Sequence, residues 1–251
     1  MDKFSIITVS YNSKNTIAKT IESVLSQTYS NIEYIIIDGG SKDGTCEVIN
    51  RYTERISHVV SERDRGIYDA INKGINFATG NLIGILHSDD FYADETVLEK
   101  VSSVFCNKNI DAVFADLIYV HPDDLDRVVR YYSAAGFTPR KFAYGLMPPH
   151  PTFFVRREVY EKYGLFKTDY KISADFELLA RFLVRHKVSY HYLPEVIVKM
   201  RPGGLSTRNF KSNWILNKEI IRACRENNIS TNYLKVYSKY LTKVFQLVRK
   251  P

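Results

Sequence analysis

Leu82-Ile83-Gly84-Ile85-Leu86-His87-Ser88-Asp89-Asp90 is an apolar run, too short for an ordinary helix, that ends abruptly in two adjacent carboxylates. Apolar runs of this length suit strands buried on both faces of a parallel sheet, and in such sheets ligands bind just beyond the carboxyl ends of the strands. Two neighbouring carboxylates repel unless a cation, a proton or hydrogen bonds compensate, and hard oxygen donors favour Mg²⁺ or Mn²⁺. The stretch therefore has two readings: a metal that holds a phosphate, or an Asp-rich loop leading into a helix that starts near Asp94.

The chain before this stretch alternates between strand and helix patterns. Phe4 to Ser10 reads as a strand, and Tyr11-Asn12-Ser13 supplies turn chemistry before a helix carrying Ile17, Ile21, Val24 and Leu25. Ile32 to Ile37 is a second strand, closing on Asp38-Gly39-Gly40-Ser41-Lys42-Asp43-Gly44-Thr45, with a helix through Val48, Ile49 and Tyr52 after it. A third strand, His58 to Ser61, leads through Glu62-Arg63-Asp64-Arg65-Gly66 to a helix from Ile67 to Ala78. This alternation predicts right-handed crossovers and a parallel sheet, with Asp38 and Asp89 on one rim where a nucleotide would lie. The sequence has no GxxxxGK[ST] and no GxGxxG, so the phosphates are not held by a glycine loop of those kinds.

Beyond the two aspartates, Ala112 to Val120 is a strand and Pro122-Asp123-Asp124 a solvated turn. Residues 133–151 read as irregular, and Met147-Pro148-Pro149-His150-Pro151 as a stiff segment that cannot be helical. Phe153 to Val155 is strand-like, and Arg157 to Tyr163 a short helix stopped by Gly164. Ile172-Ser173-Ala174-Asp175 opens an amphipathic helix, where Asp175 is either a carboxylate favoured by the helix dipole or a general base aimed into the cleft. Val188 to Leu193 is a strand. Arg201-Pro202-Gly203-Gly204-Leu205-Ser206 is a glycine-hinged loop with one cation, suited to closing over a phosphate, and two helices follow.

The composition, 45% hydrophobic and 25% charged over 251 residues, is that of a globular chain with a sizeable core. Three cysteines without a CxxC pair imply neither a disulfide framework nor a zinc site, and fit a reducing cytosol. No leader or membrane span is expected, which places the protein in the cytoplasm. The charge is uneven: residues 201–251 hold eleven basic and two acidic residues, a net +9, so the first two hundred residues carry a net −2 of the overall +7. A basic tail asks for an anionic partner. In the last helix Tyr237, Tyr240 or Leu241, Val244 and Val248 share one side and Lys235, Lys239 and Lys243 another, which suits packing on its own domain or lying on an anionic membrane. Nucleic acid is not the expected partner, because no aromatic-basic motif for reading bases accompanies the charge.

Taken together, Ser5 to Asn12, Ile36 to Thr45, Ser61 to Gly74, His87-Ser88-Asp89-Asp90 and Ser173-Ala174-Asp175 resemble, in order and spacing, the family 2 glycosyltransferases of bacterial surface-polysaccharide synthesis. The resemblance implies a GT-A fold, a Rossmann-like α/β architecture with a mostly parallel sheet flanked by helices over residues 1–210; residues 211–251 read as a basic helical C-terminal extension. It implies that Thr8, Ser10 and Tyr11 line the nucleotide, that Asp38 accepts a hydrogen bond from a base that is usually uracil, and that Asp64 and Asp69 border the same pocket. Ser88, Asp89 and Arg201 would border the diphosphate. Asp89 would hold Mn²⁺ or Mg²⁺, aided by Asp90 or His150, since His87 stands where the family's first DxD aspartate does. Asp175 would be the general base of an inverting transfer from a nucleotide-sugar donor to a hydroxyl of a lipid-linked or oligosaccharide acceptor. Ala174 stands where relatives carry Glu, and Ile71 where many carry Arg. A nucleotidyltransferase would need a basic loop after the first strand, which Tyr11-Asn12-Ser13 does not supply. A binding protein without turnover would lack the base.

Overall fold

The computed structural model describes residues 2–202 and 210–246. Its centre is one sheet in which β1 (Phe4–Ser10) pairs in parallel with β2 (Ile32–Asp38) on one side and β4 (Leu82–Ile85) on the other, with β3 (His58–Ser61) outside β2. The crossovers are α1 (Ile17–Leu25), α2 (Thr45–Asn50) and α3 (Ile67–Phe77). In-register pairing of Ser10 with Asp38 and of Asp38 with Ser61 brings three strand ends to one level, so polar residues far apart in sequence share a rim.

Past β4 the sheet takes in antiparallel strands as well as parallel ones. β8 (Phe154–Arg156) runs antiparallel to β4 and to β6 (Ala112–His121), β9 (Tyr190–Met200) runs parallel to β6, and β5 (Asp90–Tyr92) closes antiparallel on β9. β7 (Asp124–Tyr132) folds back on β6 where the sequence reads only as a solvated turn; its Val128 and Val129 stay about half exposed, so no buried face marks it. β9 outruns the expected Val188–Leu193 because the register shifts beside Ala115 and Asp116, letting Pro194, which has no N–H to donate, pass without breaking the ladder. His150–Thr152 forms one 3₁₀ turn, Pro151 being tolerated in a first turn whose N–H groups lack partners in any case.

Alternation along β1 divides the core. Phe4 and Ile6 enter a layer with Ile17, Ile21 and Tyr34 and with Val97, Leu98 and Val101 of α4 (Val97–Asn107); Ile7 and Val9 enter the layer beneath α3. Gly74 permits that second contact, because a Cβ there would stand 2.4 Å from Ile7 Cγ2. α5 (Arg157–Tyr163) and α6 (Ala174–Ala180, running on into a π-helical turn, Arg181–Arg185) lie in the same layer. So do Ile220, Ile221 and Cys224 of α7 (Phe210–Glu226) and Val236 of α8 (Tyr233–Gln246): the C-terminal helices are part of the core rather than an appendage. Among the described residues no helix is long and apolar enough to cross a membrane.

Candidate active site

Three loops at the rim are laced by side chains. Asn12 sits in the left-handed region at φ 51°; its N–H donates to Ser41 Oγ at 2.8 Å and its Oδ1 accepts from Lys42 N–H at 3.0 Å, tying the loop after β1 to that after β2. Ser13 Oγ and Ser88 Oγ lie 2.7 Å apart and tie the first loop to the one after β4. Asp38 holds the middle loop. Its carboxylate accepts from Ser10 Oγ (3.0 Å), Ser41 Oγ (2.6 Å), Ser41 N–H (2.9 Å), Gly40 N–H (3.1 Å) and Ser61 Oγ (2.7 Å). Burial pushes its pKa up and these donors outweigh it, so the carboxyl sits below the usual range. This corrects the role expected of Asp38: a fully buried carboxylate with every lone pair engaged has none left for a base. Thr8 is corrected as well, since it is fully buried facing the core, its hydroxyl 3.0 Å from Tyr34 Oη.

A Cβ on Gly39 would meet the Asp64 carboxylate at 3.2 Å and the Tyr11 ring at 3.3 Å, so glycine leaves a slot between an exposed aromatic ring and a carboxylate. Ser10 stands behind it, donating to Asp38. Lys73 Nζ fixes Asp64 at 2.5 Å. Asp69 closes its own turn instead, accepting from Arg65 N–H at 3.1 Å and from the Arg65 guanidinium at 2.9 Å.

In the loop after β4, Asp89 is partly exposed and its carboxylate has no hydrogen-bond partner among the described residues, while its carbonyl accepts from Arg201 Nη1 at 2.8 Å. A carboxylate at a rim beside one guanidinium would suit a divalent cation, which Asp89 would hold and which would supply positive charge there. No cluster of three or more ligating residues stands ready among the described residues. Asp90 is corrected: it is fully buried in β5, neither oxygen has a partner among the described residues, and burial pushes its carboxyl well above the usual range. His150 is corrected too. Its Nε2 lies 2.7 Å from His87 Nε2 and its Nδ1 3.8 Å from Asp175 Oδ2, so both ring nitrogens face neighbours other than Asp89. Burial pushes both histidines down to about 4, so the approach to Asp175 is that of a neutral ring. Of the expected glycine-hinged loop, Arg201 and Pro202 are described; Gly203, Gly204, Leu205 and Ser206 lie outside the described residues.

Asp175 begins α6 beside a small cavity that Ile85, His150, Phe153, Phe166 and Leu178 also line. Burial raises its carboxyl to about 6, the N–H of Phe176 (2.8 Å) pulls the other way, and the charge of Glu219 adds to the rise. The segment before it is held by residues that the sequence pattern did not single out. Glu219 of α7 accepts from the N–H groups of Lys171 (2.7 Å), Ile172 (2.9 Å) and Ser173 (2.9 Å). From α3, Tyr68 Oη donates to the Ile172 carbonyl at 2.5 Å, and Asn72 brackets Phe166 through both its N–H and its carbonyl. Spacing along α3 would have put Tyr68 and Asn72 on one face, i and i+4; nothing in the sequence says what that face meets.

The profile of Glycosyl transferase family 2 matches residues 5–164. An uncharacterized glycosyltransferase of Mycobacterium tuberculosis is 32% identical over 179 residues, covering 70% of this chain and 67% of that protein. Among solved structures, Staphylococcus aureus TarS 1–349 superposes with a TM-score of 0.67 at 18% identity over 88% of this chain, which spans 65% of that one. The same protein in complex with UDP-GlcNAc reaches 0.71 at 16% identity, covering 97% of this chain and 72% of that one. The mannosyltransferase PcManGT of Pyrobaculum calidifontis, in complex with GDP-Man and Mn²⁺, gives 0.64 at 19% identity, covering 88% and 64%. At these identities the structural matches establish the fold, which is GT-A.

Proposed function

This chain belongs to glycosyl transferase family 2, and on that premise we propose that it moves one sugar from a nucleoside-diphosphate sugar to an acceptor hydroxyl with inversion at the anomeric carbon. The observation that carries the reading is Asp175, a carboxyl raised to about 6 at the start of a helix, its backbone locked from α3 and α7, bordering a cavity on the side of the sheet that holds the rim. A base with a pKa just below neutrality is ionised at pH 7 yet basic enough to accept a proton in the transition state.

The nucleoside would lie in the slot over Gly39, against the Tyr11 ring and beside Asp64, with the diphosphate toward Ser88, Asp89 and Arg201. Mn²⁺ or Mg²⁺ held at Asp89 would supply positive charge to a departing diphosphate. Arg201 adds a fixed cation to the same place. The acceptor hydroxyl gives its proton to Asp175 as its oxygen bonds to the anomeric carbon from the face opposite the donor oxygen. The electrons of the broken bond leave with the nucleoside diphosphate. We assign UDP as that diphosphate, a choice supported by the shared fold with TarS, whose structure holds UDP-GlcNAc. The acceptor is a lipid-linked or oligosaccharide hydroxyl in cell-surface polysaccharide synthesis. Residues 1–210 would carry the site and 211–251 would brace it. The free Cys46, Cys106 and Cys224 support a reducing, cytoplasmic setting.

Calorimetric titration of UDP and GDP, with and without Mn²⁺, on the native chain and on Asp89→Ala tests the donor site. UDP is expected to bind more tightly with metal, and the variant to lose that gain. Failure of both nucleotides to bind under every condition would overturn the reading. Transfer from UDP-sugars, with Asp175→Asn as the inactive control, then identifies the sugar.

A further inference from the structure

We propose that the outer face of α7 and α8 docks on an anionic membrane surface. α8 packs inward through Val236 and Lys239, which are 0% and 3% exposed, so its outward side would ordinarily be charged. Instead Tyr233 and Tyr237 face out about half exposed, and Leu234 is 84% exposed. Ring and hydrogen-bond contacts run from α8 to α7 beneath this face. The Tyr233 and Tyr237 rings lie 6.4 Å apart and those of Tyr237 and Tyr240 5.9 Å, and Asn217 Nδ2 of α7 donates to Tyr240 Oη at 3.1 Å. One turn before Asn217 stands Trp214, 56% exposed, with Lys218 Nζ 3.9 Å above its ring. Tyr144, also exposed, lies 6.0 Å under Lys235 Nζ.

Tryptophan and tyrosine rings together with lysines are the side chains that settle at the level of lipid headgroups, apolar body inward and polar tip outward. The charge selects the lipid: Lys218 and Lys235 stand over the rings of this face, while Lys239 is turned inward onto Asn217. A second copy of this face would set two such segments against each other. A single-stranded nucleic acid would use the rings, but it offers nothing to Leu234, whose aliphatic chain needs an apolar phase. α7 runs from this face toward the base: Glu219, five residues after Trp214 and so about 7.5 Å along the axis, holds the segment before Asp175. Docking would therefore set the base beside the bilayer, where a lipid-linked acceptor is presented. That consequence rests on the proposed function; the docking itself does not.

The chain's one tryptophan is Trp214, so its emission reports the face directly. The full chain is mixed at low salt with vesicles of phosphatidylcholine alone or with about 30 mol% phosphatidylglycerol. A blue shift and co-sedimentation are expected only with the anionic vesicles, weakening as salt screens the attraction. The double variant Leu234→Glu and Tyr237→Glu, at exposed positions and checked for fold by circular dichroism, should partition about ten-fold less. Absence of binding to either vesicle overturns the proposal. So does a blue shift that tracks protein concentration without lipid, the mark of self-association, or one that a single-stranded oligonucleotide produces and anionic vesicles do not. Calorimetric UDP binding, which neither vesicles nor the double variant should alter, reports separately on the donor site.

Discussion

Replacing Asp175 with asparagine should abolish transfer and at the same time stabilise the fold. Burial lifts the Asp175 carboxyl from 3.8 to about 6. Between those two values the folded chain holds a proton that the unfolded chain has released, so this group's contribution to stability falls as pH rises through that window, and the full cost persists above it. The span corresponds to about 3 kcal/mol. Asparagine keeps the oxygen that accepts the Phe176 N–H at 2.8 Å and carries no charge to desolvate. The variant is therefore expected to be more stable than the native chain by about 3 kcal/mol near pH 8, a shift of about 1 M in urea midpoint for a chain of this size. The difference should shrink toward zero below about pH 4, where the native carboxyl is protonated in both states. Urea unfolding of the two chains at several pH values, followed by far-ultraviolet circular dichroism, reads this directly. A variant less stable than the native chain near pH 8, or a difference that does not change with pH, would refute both the raised pKa of this partly buried carboxyl and its assignment as the tuned base.

The same carboxyl predicts that the rate of transfer rises with pH through an apparent value near 6, because the base acts only when ionised; a pH–rate profile flat between about pH 5 and 7 would contradict it. Gly39→Ala should weaken UDP binding about ten-fold or more while changing stability by less than about 1 kcal/mol, since the added methyl fills the slot at 3.2 Å from Asp64 and 3.3 Å from Tyr11 rather than the core; calorimetry beside urea melts separates the two effects. Glu219→Ala frees three N–H groups ahead of Asp175 and should lower kcat about ten-fold with UDP affinity unchanged, which steady-state kinetics and calorimetry together would decide.

Strand and helix alternation over about the first ninety residues was legible because each element there carries its own period. Phe4–Ser10, Ile32–Asp38 and His58–Ser61 lie where the pattern put them, to within a residue. The rim followed from that alternation, since parallel strands end on one side. β7 was not legible: half-exposed valines on a strand backed only by β6 leave no two-residue period.

The chain's own order of residues thus determined which side chains reach the rim: Ser10, Asp38, Ser88 and Asp89 follow strands whose ends a periodic pattern locates. Tertiary structure alone decided what each does there. It saturated Asp38 with five oxygen- and nitrogen-borne donors, closed Asp90 into the sheet, paired His150 with His87, and brought Glu219, Tyr68 and Asn72 to the segment before Asp175 from elements 44 to 107 residues away. Local sequence encodes the direction in which a side chain leaves its own backbone. Whether that side chain meets solvent, a donor or another carboxylate depends on packing between distant elements, and burial and hydrogen bonding there set its chemistry.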